Sequence, residues 1–184
     1  MRQALRTQRK SISPSLRRKA ARALARKALR CVPLRRARRV AVYLSMGSEL
    51  DTAPLIAALK ARGIAVFAPA LLRGGMHFRA LKKTGLQAHA LGMRQVRSGL
   101  ALRASAMDVV MLPLLGFDDG GTRLGQGGGY YDRALSRARF RPYRLGLAYA
   151  QQQVDRLPRE TWDMQLHAAL TERGLQQFAR TLFG

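Results

Sequence analysis

Six of the ten residues from Gly120 to Gly129 are glycine, inside the run Asp118-Asp119-Gly120-Gly121-Thr122-Arg123-Leu124-Gly125-Gln126-Gly127-Gly128-Gly129-Tyr130-Tyr131-Asp132. Glycine at that density destabilises regular structure, so something must require bare backbone here. Bare amides can approach phosphate oxygens closely, above all where a loop opens a helix. An apolar, strand-like segment (Val109–Leu115) precedes the run, and a helix-like one (Tyr130–Arg139) follows it. The glycines alone fit a long flexible turn equally well. The guanidinium of Arg123, the rings of Tyr130 and Tyr131 and the carboxylate of Asp132 favour a nucleotide-phosphate loop.

The loop matches neither common phosphate motif. No Gly-Lys-Ser/Thr follows it, as a Walker loop requires. Gly125-x-Gly127 continues to Tyr130 rather than glycine, and no ribose-binding acid follows on a second strand, so the dinucleotide fingerprint is absent.

The surrounding pattern predicts an α/β fold. Residues 2–12 read as a basic helix, and Ser13-Pro14 caps a second helix over Pro14–Arg30 that Pro33 ends. Arg39–Ser45 and Ile64–Ala68 read as buried strands, with a helix over Thr52–Arg62 between them and Gly63 as its C-cap. Strand, helix and strand at this spacing form a βαβ unit, which makes the sheet parallel. Val109–Leu115 and Arg144–Tyr149 supply further strands. Met76–Ala80 reads as an added strand, Trp162–Leu170 as an edge strand and Gly174–Phe183 as a terminal helix. Residues 82–106 show no firm period. The expected architecture is a three-layer, open, mainly parallel sheet with helices on both faces. It forms a single domain over residues 1–184, with a basic helical segment at 2–30. Ligands in such sheets bind beyond the carboxyl ends of strands. There lie Met46–Thr52 and Gly116–Tyr131.

Charge is the other constraint. The chain carries 34 Lys and Arg against 10 Asp and Glu, and residues 1–48 hold 15 basic side chains and no acidic one. This balance favours polyanionic partners: nucleotides, polyglutamate tails or nucleic acid. Nothing aromatic interleaves with the basic residues of 1–42 as a stacking platform would require, so nucleic acid is not the expected partner. A lone cysteine, Cys31, excludes an internal disulfide and a cysteine-based zinc site, and suits the cytoplasm. No apolar run approaches the ~20 residues of a membrane span. His77, His89 and His167 have no metal-like spacing.

Taken whole, Phe117 to Asp132 resembles the signature of 5-formyltetrahydrofolate cyclo-ligases, F-D-x-x-G-x-R-L-G-x-G-x-G-Y/F-Y-D. Leu44-Ser-Met-Gly-Ser-Glu49-Leu-Asp-Thr52, Pro113-Leu114, Gly146–Tyr149 with Gln151, Trp162-Asp163 and Thr171-Glu172 match further family landmarks in order. The resemblance spans roughly residues 2–175 and is weaker over 72–106, where Met93-Arg94-Gln95-Val96 replaces the family's I-P-E/Q-P. It implies an ATP- and Mg²⁺-dependent enzyme of one-carbon metabolism, closing 5-formyltetrahydrofolate (with or without polyglutamate) to 5,10-methenyltetrahydrofolate. It further implies that Arg123, Leu124, Gly125, Gln126, Gly127, Gly128, Gly129, Tyr130 and Tyr131 bind ATP, with Arg123 and Tyr131 at the chemistry. Asp132 and Asp163 would ligate Mg²⁺, while Leu44, Glu49 and Gln126–Tyr130 would contact folate.

The family's N-terminal K-x-x-L-R pattern can be matched by Arg2-x-x-Leu5-Arg6, adding Arg2 and Arg6 to the phosphate site. Counting back from Ser13-Pro14 instead sets Arg2 on its arginine, with its lysine before Met1. Structural roles compete at each site. Asp132 can cap the helix at Tyr130, Asp51 and Glu49 can cap the helix at Thr52, and Asp163 can be a surface acid. Asp118 is expected to shape the turn before the loop. Arg123 is expected to aim at phosphate without a packing role. A monomer is expected. The alternatives are a nucleic-acid-binding protein using residues 1–40, and a family member that binds folate without turnover.

Overall fold

Val109, Val110, Met111 and Leu112 are all buried, a continuous apolar run rather than an alternation. Such a strand must be covered on both faces, which is the environment of a parallel sheet between helices. The computed structural model places it at the sheet's centre and describes residues 1–82, 86–88, 94–96, 98–138 and 142–178.

In chain order the elements begin with α1 (Arg2–Lys10), α2 (Pro14–Ala28), α3 (Val32–Arg35), β1 (Arg39–Ala41), α4 (Ala53–Ala61), β2 (Ala65–Leu72) and β3 (Gly75–Ala80). There follow β4 (Leu86–Ala88), β5 (Arg94–Val96), β6 (Ala101–Leu102), β7 (Val109–Leu112), β8 (Gly116–Phe117) and β9 (Arg123–Leu124). The chain continues through α5 (Tyr130–Ser136), β10 (Tyr143–Leu147), β11 (Ala168–Leu170) and β12 (Leu175–Gln177). The main sheet runs β12-β11-β10-β7-β1-β2-β3-β6. Its inner pairs are parallel and the outer ones antiparallel. One face packs α2 and α4 through Leu24, Ala28, Leu55 and Leu59; the other packs α5 through Leu135 and the turn after it through Ala138.

Local chemistry explains the boundaries. Ser13 caps α2 by accepting from Leu16 N at 3.4 Å, with Pro14 in the first turn. Asp51 Oδ1 accepts from Ala53 N at 3.0 Å and so supports the start of α4, and Gly63 leaves α4 at φ 74°. β1 is shorter than the apolar pattern of 39–45, although Val42 N still donates to Phe67 O. Pro33 sits in the first turn of α3 rather than ending α2.

Two expectations fail at the C-terminal end. The strand predicted over 162–170 begins only at Ala168 and is not an edge, because β12 pairs outside it; Trp162 is exposed in a turn. The predicted terminal helix is β12 over 175–177, since pairing with β11 satisfies its backbone and lets buried Phe178 pack against Phe117. The rest of that predicted helix, and His89, lie outside the described residues. Among the described residues no helix is long and apolar enough to cross a membrane.

Candidate functional site

The glycine run divides into two parts with different reasons for glycine. The first is a turn between β8 and β9. Asp118, buried, accepts from Gly120 N (3.0 Å) and Thr122 N (2.9 Å) on Oδ1, and from Leu157 N (3.0 Å) on Oδ2. Gly121 adopts φ 76°, and a Cβ there would lie 2.9 Å from Leu166 O and 3.0 Å from the Phe178 ring. These residues shape the fold, as expected for Asp118. In the second part, Gly125–Gly129, a Cβ would lie 3.2 Å from Arg123 Nη1 at Gly125, 2.9 Å from the Tyr130 ring at Gly128 and 2.7 Å from Arg133 Nη1 at Gly129. At Gly127, φ is 103° and a Cβ would meet nothing nearer than Arg2 Nε at 3.9 Å. Gly129, at φ 61°, leads into α5. At Gly127, therefore, bare backbone faces free space where a ligand could approach.

α1 supports this second part. Leu5 is buried with Leu115, Leu124 and Leu157. On the same helix Arg2 Nε donates to Gly125 O (3.4 Å) and Arg6 Nη2 to Gln126 Oε1 (3.1 Å). Both arginines thus border the loop. The Leu124 side chain is buried beneath it, and its carbonyl accepts from Leu115 N, so this residue supports the loop from below.

Arg123 differs from its expected role as a free loop arginine. Its side chain is 6% exposed and its Nη2 lies 2.6 Å from Asp132 Oδ1. Its Nε is buried without a partner among the described residues. Asp132 Oδ1 also accepts from Met164 N at 3.2 Å, which brings the segment carrying Asp163 alongside α5. Asp132 does not cap α5; it ties three segments together. Asp163 Oδ2 accepts from Glu160 N at 2.9 Å.

These two carboxylates are hard oxygen donors of the kind Mg²⁺ accepts. Asp132 Oδ2 and Asp163 Oδ1 carry no hydrogen bond from the described residues, so each has an oxygen to offer. Among the described residues no three His, Cys, Asp or Glu side chains gather as a ligand set. Two carboxylates alone would leave the remaining ligands of such a cation to phosphate and water.

Glu49 stands on the opposite wall, in the loop after β1. Its Oε2 accepts from Met46 N (3.0 Å), its Oε1 from Gln126 Nε2 (3.4 Å), and Arg9 Nη1 lies 3.9 Å from Oε1. It does not cap α4. Burial raises its carboxyl above the usual value, opposed by the Met46 bond, Arg9 and Gln126. Tyr149 Oη donates to Glu49 O at 3.2 Å. Burial, with the nearby Glu49 charge, holds the Tyr131 phenol well above its ordinary value, so Tyr131 is a neutral donor. Leu44 is half-buried on the same segment as Glu49. Arg133 stacks over the Tyr130 ring at 5.1 Å.

Sequence reading missed Arg9. It is 5% exposed, and donates from Nε to Ser48 Oγ (3.1 Å) and from Nη1 to Leu114 O (3.3 Å). It pins α1 to both loops that carry the site. The available signal was its position one helical turn after Leu5, on the same face. Gln152 was missed as well; buried, it donates to Leu114 O and Leu115 O and fixes the strand end before the loop.

The sequence model described as the 5-formyltetrahydrofolate cyclo-ligase family matches residues 1–172. The 5-formyltetrahydrofolate cyclo-ligase of Escherichia coli K12 is 35% identical over 177 residues, covering 91% of this chain and 96% of the relative. That of Haemophilus influenzae is 34% identical over 146 residues, 76% of this chain and 78% of the relative. The solved 5,10-methenyltetrahydrofolate synthetase of Aquifex aeolicus superposes with a TM-score of 0.81 at 27% identity, covering 100% of this chain and 94% of that one.

Proposed function

The chain belongs to the 5-formyltetrahydrofolate cyclo-ligase family, and from that premise we propose that it closes 5-formyltetrahydrofolate to 5,10-methenyltetrahydrofolate with ATP. The observation that carries this reading is Gln126. Its amide accepts from Arg6 of α1 and donates to Glu49, joining the prospective phosphate wall to the prospective folate wall.

The chemistry asks for positioning more than for a protein nucleophile. The formyl oxygen attacks the γ-phosphorus and ADP leaves. N10 of the same substrate then attacks the formyl carbon, its proton is lost, and phosphate departs with the C–O bond. In this reading the amides of Gly125–Gly129 with Arg2 and Arg6 hold the phosphates, and Arg123, whose Nη1 lies beside Gly125, adds its charge from beneath the loop. Glu49 accepts from the pterin N–H groups, and Leu44 with Tyr130 bounds the ring. Tyr131, neutral at physiological pH, donates a hydrogen bond and removes no proton. Asp132 and Asp163 would hold Mg²⁺, which would neutralise phosphate charge. The proposal includes action as a monomer in the cytoplasm, with or without a polyglutamate tail on the substrate.

The test is the rise of methenyl-folate absorbance when the protein is mixed with 5-formyltetrahydrofolate, ATP and Mg²⁺. No rise from folded protein refutes the reading. Folate binding without ADP release points instead to a binding protein.

A further inference from the structure

The topology segregates charge. Of the ten Asp and Glu residues, only Asp108 stands at the amino-terminal edge of the parallel strands, and its carboxylate is engaged by the amides of Arg38 and Arg39 at 2.8 and 2.9 Å. The other nine lie on segments that follow the carboxyl ends of β1, β7, β10 and β11. At the amino-terminal edge, Arg35, Arg36, Arg38 and Arg39 lead into β1 and Arg62 leads into β2, all exposed.

α2 extends this edge. Arg18, Arg22 and Arg26 follow one another at i, i+4 on its exposed face, and exposed Arg30 comes next. Four helical residues rise about 6 Å, comparable to the step between phosphates of an extended strand. Arg62 Nη1 donates to Leu29 O at 2.9 Å and joins the end of α2 to the end of α4. Among the described residues none of these arginines forms an ion pair. Beside them lies an open surface cavity, half exposed to solvent, with Leu34 and Ile64 at its base and Arg35, Arg38 and Arg62 around it.

We propose that this face binds single-stranded nucleic acid, with phosphates along the α2 arginines and an unstacked base entering the Arg35–Arg38–Arg62 cavity. The lack of aromatic residues that argued against such a partner in the sequence is met by the guanidinium planes, on which bases also stack. An open single strand suits the cavity better than a duplex, whose bases are already stacked. The proposal does not depend on the folate reading, because none of these arginines touches the glycine loop.

The test is fluorescence anisotropy with a labelled oligouridylate over a range of salt. Each phosphate contact to a single strand contributes about −0.7 to the slope of log K against log salt. Replacing Arg18, Arg22, Arg26 and Arg30 together by Gln should flatten that slope by about 3 and leave cyclisation unchanged. A charge-matched control, Arg73, Lys82, Arg156 and Arg159 to Gln, should leave the slope as it was. Far-UV circular dichroism checks that both variants are folded. Equal loss in both variants, or no binding at low salt, overturns the proposal. So does binding to vesicles containing phosphatidylserine with none to the oligonucleotide.

Discussion

Replacing Arg123 by Met tests whether this residue serves the fold as well as the ligand. Its guanidinium lies 2.6 Å from Asp132, with side chains 6% and 19% exposed. Removing one partner of a buried pair typically costs about 3–5 kcal/mol. The partial exposure of Asp132 and its remaining bond to Met164 N put the loss near the bottom of that range, about 3 kcal/mol. Against this, the substitution removes the buried, unpartnered Nε, which relieves about 1 kcal/mol. The net loss is about 2 kcal/mol, or roughly 4–8 °C in melting temperature for a chain of this size. Differential scanning fluorimetry measures it, while methenyl-folate absorbance follows turnover, which should fall by at least tenfold. ADP at a hundredfold excess over its Kd should stabilise the unmodified protein by about 2.7 kcal/mol, and the variant much less at the same concentration. A variant melting within 1 °C or so of the parent refutes the structural argument. An undiminished ADP shift refutes the ligand argument. The double variant Arg123→Met with Asp132→Leu separates the two, since an apolar pair should recover stability without recovering turnover.

Gly121→Ala should destabilise by about 2–4 kcal/mol, because a left-handed backbone and a close approach act together; an unchanged melting temperature contradicts the turn geometry. Gly127→Val should strain the backbone, which stands at φ 103° although no packed atom opposes the Cβ, and it should abolish ATP binding by filling the space assigned to phosphate; isothermal titration of the folded variant with an ATP analogue decides. Glu49 predicts a pH effect. Its folded pKa is raised by burial, so the native state binds more protons than the unfolded state between 4.5 and the folded value, and its contribution to stability falls as pH rises through that window. Folate binding through the carboxylate should accordingly fail on acidification at a pH above 4.5. Arg9→Met, which removes a charge that lowers this pKa, should move the acid limb of the folate KM profile further up; a limb that stays put excludes Arg9 from the site.

The parts of this protein legible in its sequence are those where local chemistry and tertiary demand agree. Val109–Leu112 is apolar without alternation, Ser13-Pro14 caps and starts a helix, and Gly63 leaves one in a left-handed conformation. Each reading holds in the structure because nothing distant overrides it. β12 was misread because its residues have weak preferences of their own, and the neighbour that makes them a strand, β11, adds a pairing that no local pattern encodes.

The site shows the same division more sharply. The glycine loop is visible because bare backbone is a local requirement. The partners that give its side chains their roles are not local. Arg9 reads as one more cation in a basic helix until burial against Ser48, Leu114 and Glu49 turns it into the pin between two loops. Arg123 reads as a free phosphate ligand until Asp132 and the turn at Met164 enclose it. In a chain with 34 basic residues, composition cannot separate an arginine that holds the site from one that faces solvent. What separates them is the rarity of acid. With only ten carboxylates in the chain, the two ion pairs among the described residues, Arg9–Glu49 and Arg123–Asp132, both fall at the site.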